Sequence, residues 1–267
     1  MRYGLIAGNG RFPLLALESA RRLGHDVTVI AIREEAAPEV EQLAARCHWI
    51  SLGALGKLID ILKQEGISEV VMCGQVKHAK IFSSIRPDWR LARLLLSLPS
   101  KNTDGLIRGV IKVLEDEGIR LRESTFLLTP LLAPEGVLTR RKPDKDEEAD
   151  IRYGRRVADA LAGFDVGQSV AICERACVAL EAMEGTDAML RRAASLVNGR
   201  RLTLVKVARG REHMLFDVPV IGSSTIPVMQ ETGATALAIE AGRTLMLDKD
   251  DLLRAANEAG VTILGLT

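Results

Sequence analysis

Tyr3-Gly4-Leu5-Ile6-Ala7-Gly8-Asn9-Gly10-Arg11-Phe12-Pro13 opens the chain with the pattern that decides its fold. Residues 3–7 have the apolar character and length of a buried strand, Gly8-Asn9-Gly10 makes a tight turn, and Pro13 suits the first turn of a helix. That helix is expected over 13–23, where Gly24 stops it, and 27–32 reads as a second strand. Strand, glycine turn, helix and strand in this order predict a parallel βαβ unit.

The rhythm continues outward. Residues 49–52 read as a strand and 69–73 as another, closed by Gly74. Between them Leu55, Leu58, Ile59 and Leu62 recur at helical spacing over 55–65. The pattern is helical from Asp88 through Leu98 and again over 103–117. The fold class is α/β, an N-terminal Rossmann-like parallel-sheet domain followed by a second mixed α/β domain. The first domain is expected over 1–135. Residues 140–150 pack charges of both signs around Pro143 without apolar periodicity, so 136–150 reads as a charged linker. A second domain over 151–267 would carry strands near 168–172, 178–181, 202–207, 218–221, 236–240 and 261–264, and helices ending near Leu161 and starting near Ala188.

A chain of 267 residues can bury a sizeable core. A net charge of +1 leaves no excess to hold a polyanion, and 3% aromatic content supplies no base-stacking surface, so nucleic acid is excluded as a partner. Cys47, Cys73, Cys173 and Cys177 have no CxxC spacing and read as buried thiols in a reducing compartment. Residues 1–7 run straight into a strand without a basic region or cleavage site, and no stretch has spanning length, which makes the expected location cytoplasmic.

Three segments could carry chemistry. The amides of Gly8, Asn9 and Gly10 converge at a helix start, where a phosphate is favoured. Pro13 stands where a dinucleotide fingerprint puts Gly or Ala, while Glu34 or Glu35 could serve a ribose, so phosphate contact, NAD contact and a bare turn all satisfy the pattern. The second segment is 181–187, where a strand ends in a polar turn with Thr186 and Asp187 at a helix start and Arg191 and Arg192 a turn further on. The third is 216–226, where Asp217 precedes an apolar strand and a Gly-Ser-Ser-Thr turn follows, with Lys206 ending the strand before. A capped helix and an edge strand account for these two equally. Gly56-Lys57 is followed by Leu58, so it is no Walker loop, and His25, His48, His78 and His213 have no ligand spacing. Carboxylates with a hard cation such as Mg²⁺ remain as the chemistry the sequence can support.

At these segments the chain resembles the UDP-2,3-diacylglucosamine pyrophosphatases of the LpxI type, which serve lipid A synthesis. The likeness is carried by Leu5-Ile6-Ala7-Gly8-Asn9-Gly10-Arg11-Phe12-Pro13, Cys73-Gly74-Gln75-Val76-Lys77 and Asp165-Val166-Gly167-Gln168-Ser169-Val170. It continues in Glu184-Gly185-Thr186-Asp187-Ala188-Met189-Leu190-Arg191-Arg192 and in Asp217-Val218-Pro219-Val220-Ile221-Gly222 with Thr225. The resemblance implies hydrolysis of UDP-2,3-diacylglucosamine by water attack on the α-phosphorus, giving UMP and 2,3-diacylglucosamine 1-phosphate (lipid X). It further implies Mg²⁺ or another divalent cation, two domains holding a lipid-nucleotide substrate, and a homodimer.

On that resemblance the aspartate most tied to activity falls on Asp217. Asp217, Lys206 and Asp187 become the catalytic candidates, and Asp217, Asp187 and Asp104 the metal ligands. Substrate contacts fall on Gly8, Asn9, Gly10, Gly74, Lys77, Gln168, Thr186, Arg191, Gly222 and Thr225. The chain departs from the family pattern twice. Ala208-Arg209-Gly210-Arg211-Glu212-His213 replaces a Lys-Pro-Gly-Gln-Asp-like run, and Thr103-Asp104 replaces paired aspartates. An NAD(P)-dependent oxidoreductase and a non-catalytic nucleotide-binding regulator are the alternative functions.

Residues 86–98 carry two stripes, Arg86, Arg90 and Arg93 on one and Leu91, Leu94, Leu95 and Leu98 on the other, with Trp89 alongside. Either the leucines are core and the arginines their solvated back, or this helix makes transient, peripheral contact with a membrane surface, at the inner face of the inner membrane.

Overall fold

The computed structural model describes residues 2–74, 76, 86–98, 103–164, 166–210, 214–216 and 218–267, without the side chains of Thr103 and Asp104. The chain divides into two units, Met1–Leu128 and Thr129–Thr267.

In the first unit, β1 (Arg2–Ala7), β2 (Asp26–Ile32), β3 (Arg46–Ile50), β4 (Glu69–Cys73) and β5 (Arg120–Arg122) form one parallel sheet in the order β3-β2-β1-β4-β5. This is the doubly wound order, with the crossover direction reversing between β1 and β4. β1 and β2 are almost wholly buried, as strands covered on both faces must be. The helices are α1 (Phe12–Arg22), the short α2 (Val40–Leu43), α3 (Leu55–Gln64), α4 (Trp89–Ser97) and α5 (Thr103–Asp116). Leu55, Leu58, Ile59 and Leu62 are all buried, as their spacing requires. Gly4 lets β1 pack closely, since a Cβ there would lie 2.8 Å from Val70 Cγ1.

The second unit is built on a six-stranded mixed sheet, ordered β6-β13-β11-β9-β7-β8. Its members are β6 (Gly136–Val137), β7 (Ser169–Cys173), β8 (Ala176–Leu180), β9 (Leu202–Lys206), β11 (Ala234–Glu240) and β13 (Thr262–Leu266). The central β9, β11 and β13 run parallel, while β7, β8 and β6 are antiparallel to their neighbours. A separate parallel pair joins β10 (Val220–Ile221) to β12 (Leu245–Met246). On one face packs α6 (Lys145–Gly163), whose Ile151, Ala158 and Leu161 meet Val170, Ile172, Val205 and Val207. On the other lie α7 (Thr186–Leu196), α8 (Thr225–Thr232) and α9 (Lys249–Glu258), whose apolar residues cluster with Ala171, Cys173, Leu202 and Leu204. Strand alternation therefore sends Ser169 and Lys206, in phase with this second set, to the α7 face.

The expected linker 136–150 is a correction: it lies inside the second unit rather than between the two. Gly136–Val137 joins the sheet as β6, and α6 already begins at Lys145. Several of its charges are exposed, but Arg141, Asp144 and Glu147 are paired. Glu147, 3% exposed, accepts from Arg141 Nη2 (2.7 Å), Thr235 Oγ1 (2.6 Å) and the Asp144 amide (2.9 Å). Asp144 completes a capping box at the helix start and pairs with Arg201. A buried carboxylate this fully bonded costs little to hold inside.

Candidate functional site

In the first unit the glycine turn follows β1, at the point where the strand order reverses. The Gly8 amide donates to the Cys73 carbonyl at the end of β4 (2.8 Å), which brings the ends of β1 and β4 side by side. Gly74 has φ 92° and a Cβ there would fall 2.6 Å from the Asn9 carbonyl oxygen, so only glycine fits. Gly10 has φ 96° but open space around it. Gly8, Asn9, Gly10 and Gly74 are thus one cluster at the carboxyl edge of the sheet, where open α/β sheets take ligands. Asn9 Nδ2 donates to Glu35 Oε2 (3.2 Å), and Glu35 is buried, while Glu34 Oε2 accepts the Leu52 amide (3.1 Å). Both carboxylates proposed for a ribose therefore already accept bonds from the protein. Burial pushes the Cys73 thiol up to about 12, so the cysteine beside this cluster is no nucleophile.

The second cluster stands in the other unit, at the carboxyl end of β9. Antiparallel pairing sets Ser169 directly opposite Lys206, and the Glu181 amide bonds the Ser169 carbonyl (2.9 Å). The turn after Glu181 leads through Gly185, at φ 83°, into α7, whose first residue is Thr186. Thr186 Oγ1 donates to Glu181 Oε1 (2.9 Å), receives Lys206 Nζ (3.2 Å) and lies 3.3 Å from Ser169 Oγ. One hydroxyl has one proton and two lone pairs, so with its proton on Glu181 it can accept from both Lys206 and Ser169. Ser169, Glu181 and Lys206 are all buried.

Two acceptors, one in this cluster and one on the residue before Ser169, point to something further. Glu181 Oε2 and Gln168 Oε1 are buried without a hydrogen-bond partner among the described residues. Buried acceptors are nearly always bonded, so a water, a cation or a donor on a ligand belongs there. Both are oxygens, the donor type a hard divalent cation takes. Among the described residues no three His, Cys, Asp or Glu side chains converge to make a metal site. Of the expected ligands, Asp187 is exposed in the first turn of α7, and Asp217 and the Asp104 side chain lie outside the described residues.

The remaining candidates divide. Thr186 joins Lys206 in the cluster, while Gln168 precedes Ser169 in the chain and its backbone carbonyl accepts from the Val207 amide (2.9 Å). Gly222 and Thr225 share the turn into α8, the Gly222 amide lying 3.4 Å from Thr225 Oγ1. Arg191 is committed elsewhere: its guanidinium pairs with Glu231 of α8 on the surface (3.0 Å), which keeps that carboxyl below its usual range. Lys77 lies outside the described residues. The sequence reading had Glu181 at the head of the second segment and Ser169 in a motif of the likeness but gave neither a role. Their signal was a serine opening an otherwise apolar buried strand and an acid directly after the next strand.

Exposed apolar side chains stand on the segments that flank Ser169 and Glu181 in the chain. Gly167 lies so close to the Glu181 carbonyl oxygen that a Cβ would come within 2.0 Å, which binds the 166–168 segment to the end of β8. On these two segments Phe164 is 80% exposed and Met183 97%, with Val166 and Leu180 also exposed. Exposed large apolar groups gathered beside buried polar ones are a binding surface more than a folding device.

The LpxI N-terminal domain family matches residues 2–131, and the LpxI C-terminal domain family matches 134–264. UDP-2,3-diacylglucosamine pyrophosphatase LpxI of Caulobacter vibrioides is 32% identical over 275 residues, covering 99% of this chain and 97% of that protein. Among solved structures, UDP-glucose 4-epimerase from Bifidobacterium longum with NAD+ and UDP is similar at 15% identity and TM-score 0.30, over 54% of this chain and 42% of that one. L-threonine dehydrogenase from Phytophthora infestans is similar at 17% identity and TM-score 0.30, over 45% of this chain and 34% of that one.

Proposed function

We propose, from the premise that the chain belongs to the LpxI family, that it hydrolyses UDP-2,3-diacylglucosamine to UMP and 2,3-diacylglucosamine 1-phosphate in lipid A biosynthesis. Water attacks the α-phosphorus. The observation that carries this reading is the buried Lys206–Thr186–Glu181 chain at the start of α7, with an unpartnered carboxylate oxygen beside it. A pyrophosphate diester repels a nucleophile through its two negative charges, so the site has to neutralise them.

Lys206 supplies a cation, and the amides opening α7 add the positive end of a helix dipole. The Thr186 hydroxyl holds the ammonium in place while its own proton rests on Glu181. Glu181 Oε2 is left to accept a proton or a hydrogen bond from the attacking water. Asp217 and Asp187 are the residues that would hold Mg²⁺, which when bound would supply further positive charge beside the phosphates. The glycine cluster of Gly8, Asn9, Gly10 and Gly74 offers amides to the nucleotide or the sugar phosphate. Phe164, Val166, Leu180 and Met183 give the acyl chains apolar surface next to the reacting bond.

Incubation of the purified protein with UDP-2,3-diacylglucosamine and Mg²⁺ in ¹⁸O-labelled water tests the reading. The label is expected in UMP. Label in the sugar phosphate refutes attack at the α-phosphorus, and the absence of any cleavage refutes the activity.

A further inference from the structure

The helix α4 presents two unlike faces. Leu91 and Leu94 are buried, so the leucine stripe is core. At about 100° per residue, Trp89, Arg93 and Leu96 share an arc of about 60° on the opposite side. Trp89 is 68% exposed and Leu96 88%, and Arg93 is exposed between them. A Trp and a Leu standing open on one helix face are unexplained by the packing of the first unit.

The charges say what this face fits. The helix contains no acidic residue. Asp88, its cap, is occupied by the Leu91 and Gly56 amides, and Glu117 by Lys63 and Arg90. Arg90, which the sequence groups with the other two arginines, is thus tied to Glu117 and stacked 5.3 Å over the Trp89 ring. Arg86 and Arg93 are exposed and make no ion pair among the described residues. The face therefore offers an amphipathic indole, an aliphatic side chain and the Arg93 guanidinium, with Arg86 just before the helix and the neighbouring carboxylates of Asp88 and Glu117 already bonded. We infer that the Trp89, Arg93 and Leu96 face of α4, with Arg86, docks on an anionic lipid bilayer, the indole and leucine entering the headgroup region while the arginines meet lipid phosphates. This surface goes beyond the proposed hydrolysis, and its test does not depend on turnover.

The test is co-sedimentation of the full chain with vesicles of phosphatidylglycerol and of phosphatidylcholine at low and high salt. Binding to the anionic vesicles at low salt is expected, with weakening at high salt. Each arginine near such a surface strengthens binding about fivefold, so Arg86→Gln with Arg93→Gln should weaken it roughly 25-fold. Trp89→Ser with Leu96→Ser should weaken binding at both salt concentrations. Activity on detergent-dispersed substrate, measured in parallel, should be unchanged in both double variants, which separates failure of docking from failure of the hydrolase reading. Absence of wild-type binding, or equal binding by wild type and variants, overturns the inference. A shift of oligomeric state by Trp89→Ser with Leu96→Ser overturns it too, because the face then joins two copies of this chain.

Discussion

Lys206 Nζ reaches Thr186 Oγ1 across 3.2 Å, tying the last residue of a buried central strand to the first residue of a helix. If this cation neutralises the pyrophosphate, Lys206→Met should keep the fold while lowering turnover about 10²-fold to 10⁴-fold. Asp217→Ala is expected to lower it by a similar factor. Circular dichroism with steady-state assays checks both, and wild-type rates in a folded variant would exclude that residue from the site.

Glu181→Gln keeps an oxygen to accept the Thr186 proton but removes the charge from the unpartnered position. We expect kcat to fall about 10²-fold with KM little changed, since a base acts in the transition state more than in binding. A rise in KM alone would make Glu181 a binding group.

Gly74→Ala and Gly10→Ala separate strain from collision. Both positions have positive φ, but only Gly74 faces a neighbour, the Asn9 carbonyl. Gly10→Ala should cost about 1–2 kcal/mol from backbone strain, and Gly74→Ala more. Urea unfolding measures the difference, and equal losses would mean that the turn yields to the added methyl.

Asp144 caps α6, its carboxyl held below the usual range first by the Glu147 amide and then by Arg201. A lowered folded pKa contributes stability above the unfolded value of about 3.9, lost as pH falls through the folded value. Asp144→Ala should cost about 0.5–2 kcal/mol at neutral pH, while Asp144→Asn keeps the cap and loses the charge. The gap between wild type and Asp144→Asn should close below about pH 4. A gap constant with pH in thermal melts would remove the charge from the account.

Local patterns in the sequence already contained much of the first unit. Residues 69–73 are a strand as expected, and the helices expected at 13–23, 55–65 and 103–117 lie at Phe12–Arg22, Leu55–Gln64 and Thr103–Asp116. Such elements follow from apolar period, a proline at the start and a glycine at the stop, which act within a few residues. The third strand was displaced, lying at Arg46–Ile50 rather than 49–52, and β5, β12 and α9 were not anticipated, because short or highly charged elements carry weak periodicity.

Residue type made Lys206 and Thr186 candidates, the family resemblance added Gln168, and the glycine turn was visible in Gly8-Asn9-Gly10. What joins them is not local. Ser169 meets Lys206 only because β7 pairs antiparallel with β9, and Glu181 and Thr186, neighbours across one turn, reach Ser169 only because β8 returns beside β7. Arg141 and Glu147 looked solvated until they found Thr262 and Thr235, 121 and 88 residues away. Arg191 looked available for a phosphate until packing set Glu231 beside it. A sequence by itself determined which segments form helices and strands here, because period and turn chemistry act between neighbours; tertiary structure decided which polar groups converge, because strand pairing and burial act between residues far apart in the chain.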